Sequence, residues 1–505
     1  AFAVHDGRVW FVNDADQQVY EVADGQITQL TDEAQCRYAD LQFNPRHQCL
    51  YAVREDYACA ADAEPVSELV RISGGVVTVM ATGDDFYAAP AVSPDGDWLA
   101  WLSWNHPDMP WDRTILWLTK LGDHGEALAP VKLIDAAGQS VFQPAWSADG
   151  KLYFVNDPTG WWQLYRFDDC ENPQSPLQVC DYEAEMGLPL WQFGMQTYTF
   201  QDPDRVIATL CEQGVWRLVR ICTNTGEVEP VTTPYNSVSA LAADNNRVVL
   251  IAAGSRCTDE VSSIDLQSGE RSLCTAEQAL PVPVDWVSEA QPVCFETSDN
   301  DVAHGFYFPP NNPKVEAAPG ELPPLLVMTH GGPTCATSPS LSLRTQFWTS
   351  RGFAVLDVNY RGSTGYGRGY RERLDGHWGI YDVDDVVAGA RYLVEQGKAD
   401  PNRLIIRGGS AGGFTTLAAL AFTDVFHAGA SYYGIGDLQS LLDDTHKFEA
   451  RYLDRLIGPY PQRQDLYQAR SPIMHVENLS CPVIFMQGDE DKVVPPQQAK
   501  SMAAA

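Results

Sequence analysis

The 505-residue chain has no run of about 18 apolar residues, so no transmembrane helix is expected. Its twelve cysteines form no C-x-x-C pair and no zinc-ligand spacing. Nothing resembles a compact disulfide scaffold, and mostly reduced, buried cysteines of a cytoplasmic protein are the expectation. No metal or organic cofactor is implied. Positive charge is scarce: 34 Lys and Arg stand against 67 Asp and Glu, a net charge of −33. Such a field repels nucleic acid and anionic membranes, so neither is expected as a partner, and a homo-oligomer is left open. The opening AFAVHDGRVWF has no initiator Met and no basic-then-apolar signal pattern. It reads as the inside of a domain, so the chain is expected to begin within a longer protein.

Helical periodicity is nearly absent from residues 1–285. In its place is an imperfect repeat. AAPAVSPDGDWLAWLSW (88–104) resembles FQPAWSADGKLYFVND (142–157), and LQFNPRHQCLYAV (41–53), YTFQDPDRVIATL (198–210) and LAADNNRVVLIAA (241–253) are weaker copies. Each joins alternating apolar residues across a turn rich in Asp, Asn or Gly, the pattern of a hairpin. The period of roughly 45–55 residues suits propeller blades. A β-propeller of about six to seven blades is predicted, with material before Ala1 completing the ring. A β-sandwich or two small β-domains is the alternative. HDGRVWFVNDADQQVYEV (5–22) reads as two strands of one blade. The tryptophans of 101–112 and 160–167 read as blade packing.

From about residue 286 strands and helices alternate. PPLLVMTHGG (323–332), GFAVLDVNYRG (352–362), RLIIRGG (403–409), AGASYYGI (428–435) and CPVIFMQGDED (481–491) are apolar strands. YDVDDVVAGARYLVEQG (381–397) has helical spacing and ends at a glycine. This predicts a parallel sheet covered on both faces over 286–505, with reactive groups at the C-terminal strand ends.

RLIIRGGSAGGFTTLAAL (403–420) places Ser410 in G-x-S-x-G between a strand and a helix. That context suits a nucleophile held on a sharp turn. A phosphate loop is the alternative, but no Lys-Ser/Thr follows. A negative intermediate needs two preset donors. The N–H of Ala411 is one, and Gly331 or Gly332 of THGGP (329–333) offers the other. His330 is a conceivable base, though its place ahead of the nucleophile fits a structural role better. For the acid, GDED offers Asp491 or its rival Asp489.

HGGP (330–333), NYRGSTGYGR (359–368), GGSAGGF (408–414) and GDEDKVVPP (488–496) together resemble the prolyl oligopeptidase family of serine peptidases, in the branch of acylaminoacyl-peptidases and bacterial aminopeptidases. The resemblance implies a propeller followed by an α/β-hydrolase domain, and it favours Asp491, through its Asp-x-x-Val-Pro pattern. It also implies the order Ser, Asp, His, with the histidine a few tens of residues past the aspartate. No histidine follows Asp491. The expectation is a chain truncated before that histidine, missing the last strand and closing helix, and nearly inactive as it stands.

The implied activity is hydrolysis of short peptides or aminoacyl amides from the N-terminus, through an acyl-enzyme at Ser410. A carboxylesterase and a non-catalytic propeller scaffold are the alternatives. Recognition of a free N-terminus calls for carboxylates, and Glu183 and Glu185 in DYEAEMGLPLW (181–191) are the candidates, with solvated surface glutamates as the plainer reading. Family analogues place aromatics at the specificity pocket, which nominates Tyr433 and Tyr452. Core packing explains them equally well.

Overall fold

The computed structural model describes residues 2–58, 64–276 and 279–505, with the backbone alone for 443 and 444. The chain divides into two compact units. The first comprises Ala1–Thr209, Val219–Pro230 and Ser239–Val248, and the second Leu210–Leu218, Val231–Val238 and Val249–Ala505. No helix among the described residues is long and apolar enough to cross a membrane. None of the eleven described cysteines is in a disulfide, and five of them are buried.

Six four-stranded antiparallel sheets follow one another along the chain, the blades of a six-bladed propeller. The first contains Arg8–Val12 and Val19–Ala23, the two strands expected in 5–22. The repeats fall on the first two strands of later blades, as in Phe86–Val92 with Trp98–Trp104 and Phe142–Trp146 with Leu152–Asn156. Their hairpins are tied by side chains. Ser93 Oγ donates to Asp95 Oδ1 at 2.5 Å, and Ser147 Oγ donates to Asp149 Oδ1 at 2.6 Å. Trp101, Trp104, Trp111 and Trp162 are buried, as blade packing requires.

One device recurs on the first strands of the second, third and fourth blades. Asp40, Ala89 and Gln143 have φ near +50°, and the strand register shifts at each. Such bulges re-aim side chains out of the ladder. Asp40 Oδ2 accepts the Ala89 N–H at 2.6 Å, in the next blade. Gln143 Oε1 accepts the Thr197 N–H at 2.7 Å, and its Nε2 donates to Tyr198 O at 2.7 Å. Polar groups freed by the bulge thus stitch neighbouring blades.

The second unit carries a seven-stranded sheet. Its order is Gln291–Glu296, Val302–Phe308, Ala354–Asn359, Leu325–Thr329, Leu404–Gly409, Ala428–Tyr432 and Val483–Met486. The first two pairings are antiparallel and the rest parallel. Val327, Val355, Leu356 and Ile406 are fully buried, as strands sandwiched between helices demand. The helix Tyr381–Glu395 ends where Gly397 takes φ +66°. Asp385 of this helix forms a buried ion pair with Arg361, at 2.8 Å and with both side chains essentially inaccessible. Asp385 Oδ2 also accepts the Arg361 N–H at 2.7 Å, and Oδ1 accepts the Thr297 hydroxyl at 2.7 Å.

Candidate active site

The strand Leu404–Gly409 lies between two parallel neighbours, so its leucine and isoleucines are held in the sheet interior. The helix Ala411–Phe422 follows at once and is buried throughout except for Phe422. One residue, Ser410, turns the chain between them at φ 54°, ψ −125°. A non-glycine backbone in this region costs about 1–3 kcal/mol and persists only where its surroundings enforce it. Here the Ser410 N–H donates to Tyr432 O and its carbonyl accepts the Phe414 N–H, both at 3.0 Å. The neighbouring glycines admit no side chain. A Cβ on Gly412 would press on Thr329 O and lie 2.7 Å from His330 O, and one on Gly408 would strike Thr329 Oγ1. Thr329 Oγ1 donates to Gly412 O at 2.8 Å, locking strand to helix. The twelve-residue helix opens at Ala411, and its first N–H groups face the end of the strand, where they favour negative charge.

The 330–334 loop follows the adjacent strand. A Cβ on Gly331 would lie 3.4 Å from Ser410 Cβ and 3.9 Å from its Oγ, so the bare glycine backs directly onto the serine. Gly332 lines the same pocket as Ser410 and Ala411. His330 is turned elsewhere. Its Nδ1 meets Gly331 O and its Nε2 meets Ser363 Oγ, each at 2.8 Å, and its ring stacks on Tyr360 at 4.3 Å. Burial pushes its imidazole down to about 4, partly offset by the Gly331 carbonyl. It is a neutral strut at ordinary pH.

Asp491 lies just past the strand Val483–Met486, on the same C-terminal edge of the sheet as Ser410 and two strands away. Its Oδ1 accepts the N–H groups of Val493 and Val494, each at 2.9 Å. Val493 and Val494 line the same pocket as Ser410, so the Asp491 turn borders that pocket. The rival Asp489 is exposed.

The wall of this solvent-open pocket is mostly apolar: Trp378, Ile435, Leu453 and Leu456, among others. Tyr452 is buried and lines it. The Tyr452 hydroxyl accepts the Thr334 N–H at 3.1 Å and lies 2.5 Å from Thr334 Oγ1, tying the 330–334 loop to this wall. Tyr433 has φ 39° and is 41 % exposed. A Cβ on Gly409 would come within 2.9 Å of its ring, so Tyr433 stands beside the Ser410 turn. The two predicted glutamates are unlike one another. Glu183 is exposed, whereas Glu185 is fully buried and its Oε2 accepts the Trp162 N–H at 3.0 Å.

Sequence reasoning passed over Trp378 and Glu449, both of which line the pocket. Trp378 is held by Arg470, which donates to the Trp378 carbonyl at 2.9 Å. No motif marks either residue, although Glu449 opens the EARYLDRL stretch that drew attention to Tyr452.

A family model described as the prolyl oligopeptidase family matches residues 339–505. The acylamino-acid-releasing enzyme of Arabidopsis thaliana is 27 % identical over 421 residues, covering 72 % of this chain and 54 % of that protein. The dipeptidyl aminopeptidase BIII of Pseudoxanthomonas mexicana is 31 % identical, over 35 % of this chain and 28 % of its own length. The chain thus spans about half the length of the first of these curated relatives, and less of the second. Among solved structures, a puromycin-hydrolyzing peptidase of Mycobacterium tuberculosis is 38 % identical with a TM-score of 0.93, covering 99 % of this chain and 79 % of that one. A puromycin hydrolase, also solved as a mutant complexed with PGG, is 33 % identical with the same TM-score, covering 100 % of this chain and 79 % of that one.

Proposed function

The chain belongs to the prolyl oligopeptidase family, and we propose that the complete protein is a serine peptidase acting on short peptides or aminoacyl amides at their N-termini. One observation carries this reading. Ser410 sits in a strained turn at a helix N-terminus, in an apolar pocket shared with the turn that Asp491 braces.

Ser410 Oγ attacks the substrate carbonyl and forms an acyl-enzyme, which water then hydrolyses. The developing oxyanion is met by the Ala411 N–H and by an amide of Gly331 or Gly332, donors fixed before charge appears. Asp491 orients the base that takes the serine proton. His330 is not that base, since both its ring nitrogens face other partners. No histidine follows Asp491 within these 505 residues. The apolar pocket receives the side chain next to the attacked carbonyl, with Tyr452 on its wall and Tyr433 at the nucleophile turn.

The relatives support this substrate class by name: one is an acylamino-acid-releasing enzyme, one a dipeptidyl aminopeptidase and one a puromycin hydrolase. Steady-state release of p-nitroaniline from L-leucine p-nitroanilide tests it. S410A is expected to lower kcat by about 10⁶-fold. Retention of more than roughly a hundredth of the wild-type rate would refute Ser410 as nucleophile.

A further inference from the structure

Glu449 is an acidic side chain on an otherwise largely apolar wall. Among the described residues it lines the pocket together with Ser410, Trp378, Leu453 and Leu456. It closes the turn Lys447–Glu449, its N–H donates to His446 O at 3.0 Å, and its side chain is 24 % exposed. Its Oε2 lies 3.5 Å from His446 Nε2, a cationic partner only when that imidazole is protonated. Burial pushes the Glu449 carboxyl above its ordinary range, with His446 partly offsetting it. A carboxylate set among leucines is costly unless a donor or a cation meets it.

We propose that Glu449 binds the free α-ammonium group of the residue whose carbonyl Ser410 attacks, so that the enzyme removes single unblocked N-terminal residues. This rests on the hydrolase reading above. The nitrogen of such a residue is two bonds from the attacked carbon, roughly 2.5 Å away by standard backbone dimensions. The attacking oxygen approaches that carbon to about 3 Å. The counter-charge for the ammonium must therefore line the pocket that holds Ser410, and Glu449 does. Glu185, in contrast, is fully buried with an oxygen on the Trp162 amide. A dipeptide-releasing enzyme would need its carboxylate one residue further out, and a blocked substrate would offer no cation at all.

The test compares L-leucine p-nitroanilide with 4-methylpentanoyl p-nitroanilide, which lacks only the amine, and with N-acetyl-leucine p-nitroanilide. The complete wild-type enzyme is expected to favour the free amine, and E449Q to lower kcat/KM for it by about 10- to 100-fold, the range for a hydrogen bond to a charged group. The amine-free substrate is expected to change by no more than about twofold. Equal losses on both substrates would assign Glu449 a structural role and overturn the proposal. So would a loss confined to lysine p-nitroanilide, which would make Glu449 a reader of side chains. Should E449Q not fold, the wild-type ratio decides: a preference for the free amine below about threefold sinks the idea. Turnover of all substrates at equal rates removes this inference alone. Turnover of none removes the hydrolase reading and the inference with it.

Discussion

Replacing Gly412 with Ala adds one methyl group where the Ser410 turn is pressed against neighbouring backbone. The new Cβ would press on the Thr329 carbonyl oxygen and lie 2.7 Å from the His330 carbonyl oxygen. Both are backbone atoms, one in a central strand and one at the start of the 330–334 loop, so no side chain can rotate away. Relief requires the helix Ala411–Phe422 to move off the sheet by several tenths of an ångström. Overpacking of this kind costs roughly 1–3 kcal/mol. A misplacement of about 1 Å at a reacting group costs about 10²-fold in rate, so the smaller shift is expected to cost roughly tenfold. Gly408 provides an internal comparison, since its Cβ would strike Thr329 Oγ1, a side-chain atom, as well as Gly412 O. Urea unfolding of the complete gene product gives the first quantity, and p-nitroanilide hydrolysis gives the second. A G412A enzyme with wild-type stability and wild-type kcat would refute the claim that backbone contact positions Ser410.

Three further outcomes are expected. R361M leaves Asp385 buried and charged without its guanidinium, which should cost about 3–5 kcal/mol in urea unfolding, while R361M/D385L should recover most of it; a single-variant loss below about 1 kcal/mol contradicts the burial argument. Y452F removes the hydroxyl that accepts the Thr334 N–H, so stability should fall by about 0.5–1.5 kcal/mol; an unchanged unfolding midpoint would count against that bridge. Burial pushes the Asp40 carboxyl up to about 6, partly offset by the Ala89 N–H. Since that lies above its unfolded value, the stability linked to its neutral form is complete below about pH 4 and is lost as pH rises through about 6. D40N keeps an oxygen for the Ala89 N–H without the charge. It should match or exceed wild-type stability above pH 6, and thermal melts that show it weaker at pH 8 than at pH 5 would contradict this.

What could be read from the sequence was local. The blade hairpins depend on residues a few positions apart, such as Ser93 with Asp95, and so they repeat visibly. The Ser410 turn is likewise one continuous stretch whose small residues are forced by the contacts of Gly408 and Gly412. The Asp491 turn is closed by its own next residues, Val493 and Val494. The pocket wall was not legible, because Gly332, Trp378, Glu449 and Val494 come together only when several strand-end loops meet. Glu185 shows the converse. In sequence it pairs with Glu183 as a second acid, but the fold turns it inward onto the Trp162 amide, a contact 23 residues away that no local pattern announces. The interblade stitches from Asp40 and Gln143 were hidden for the same reason.

The most direct test of the account is covalent labelling of the complete gene product with a fluorophosphonate probe, followed by peptide mapping. The account predicts a single modified site at Ser410 and no labelling of S410A. A folded protein that resists the probe, or one whose label persists in S410A, would contradict it.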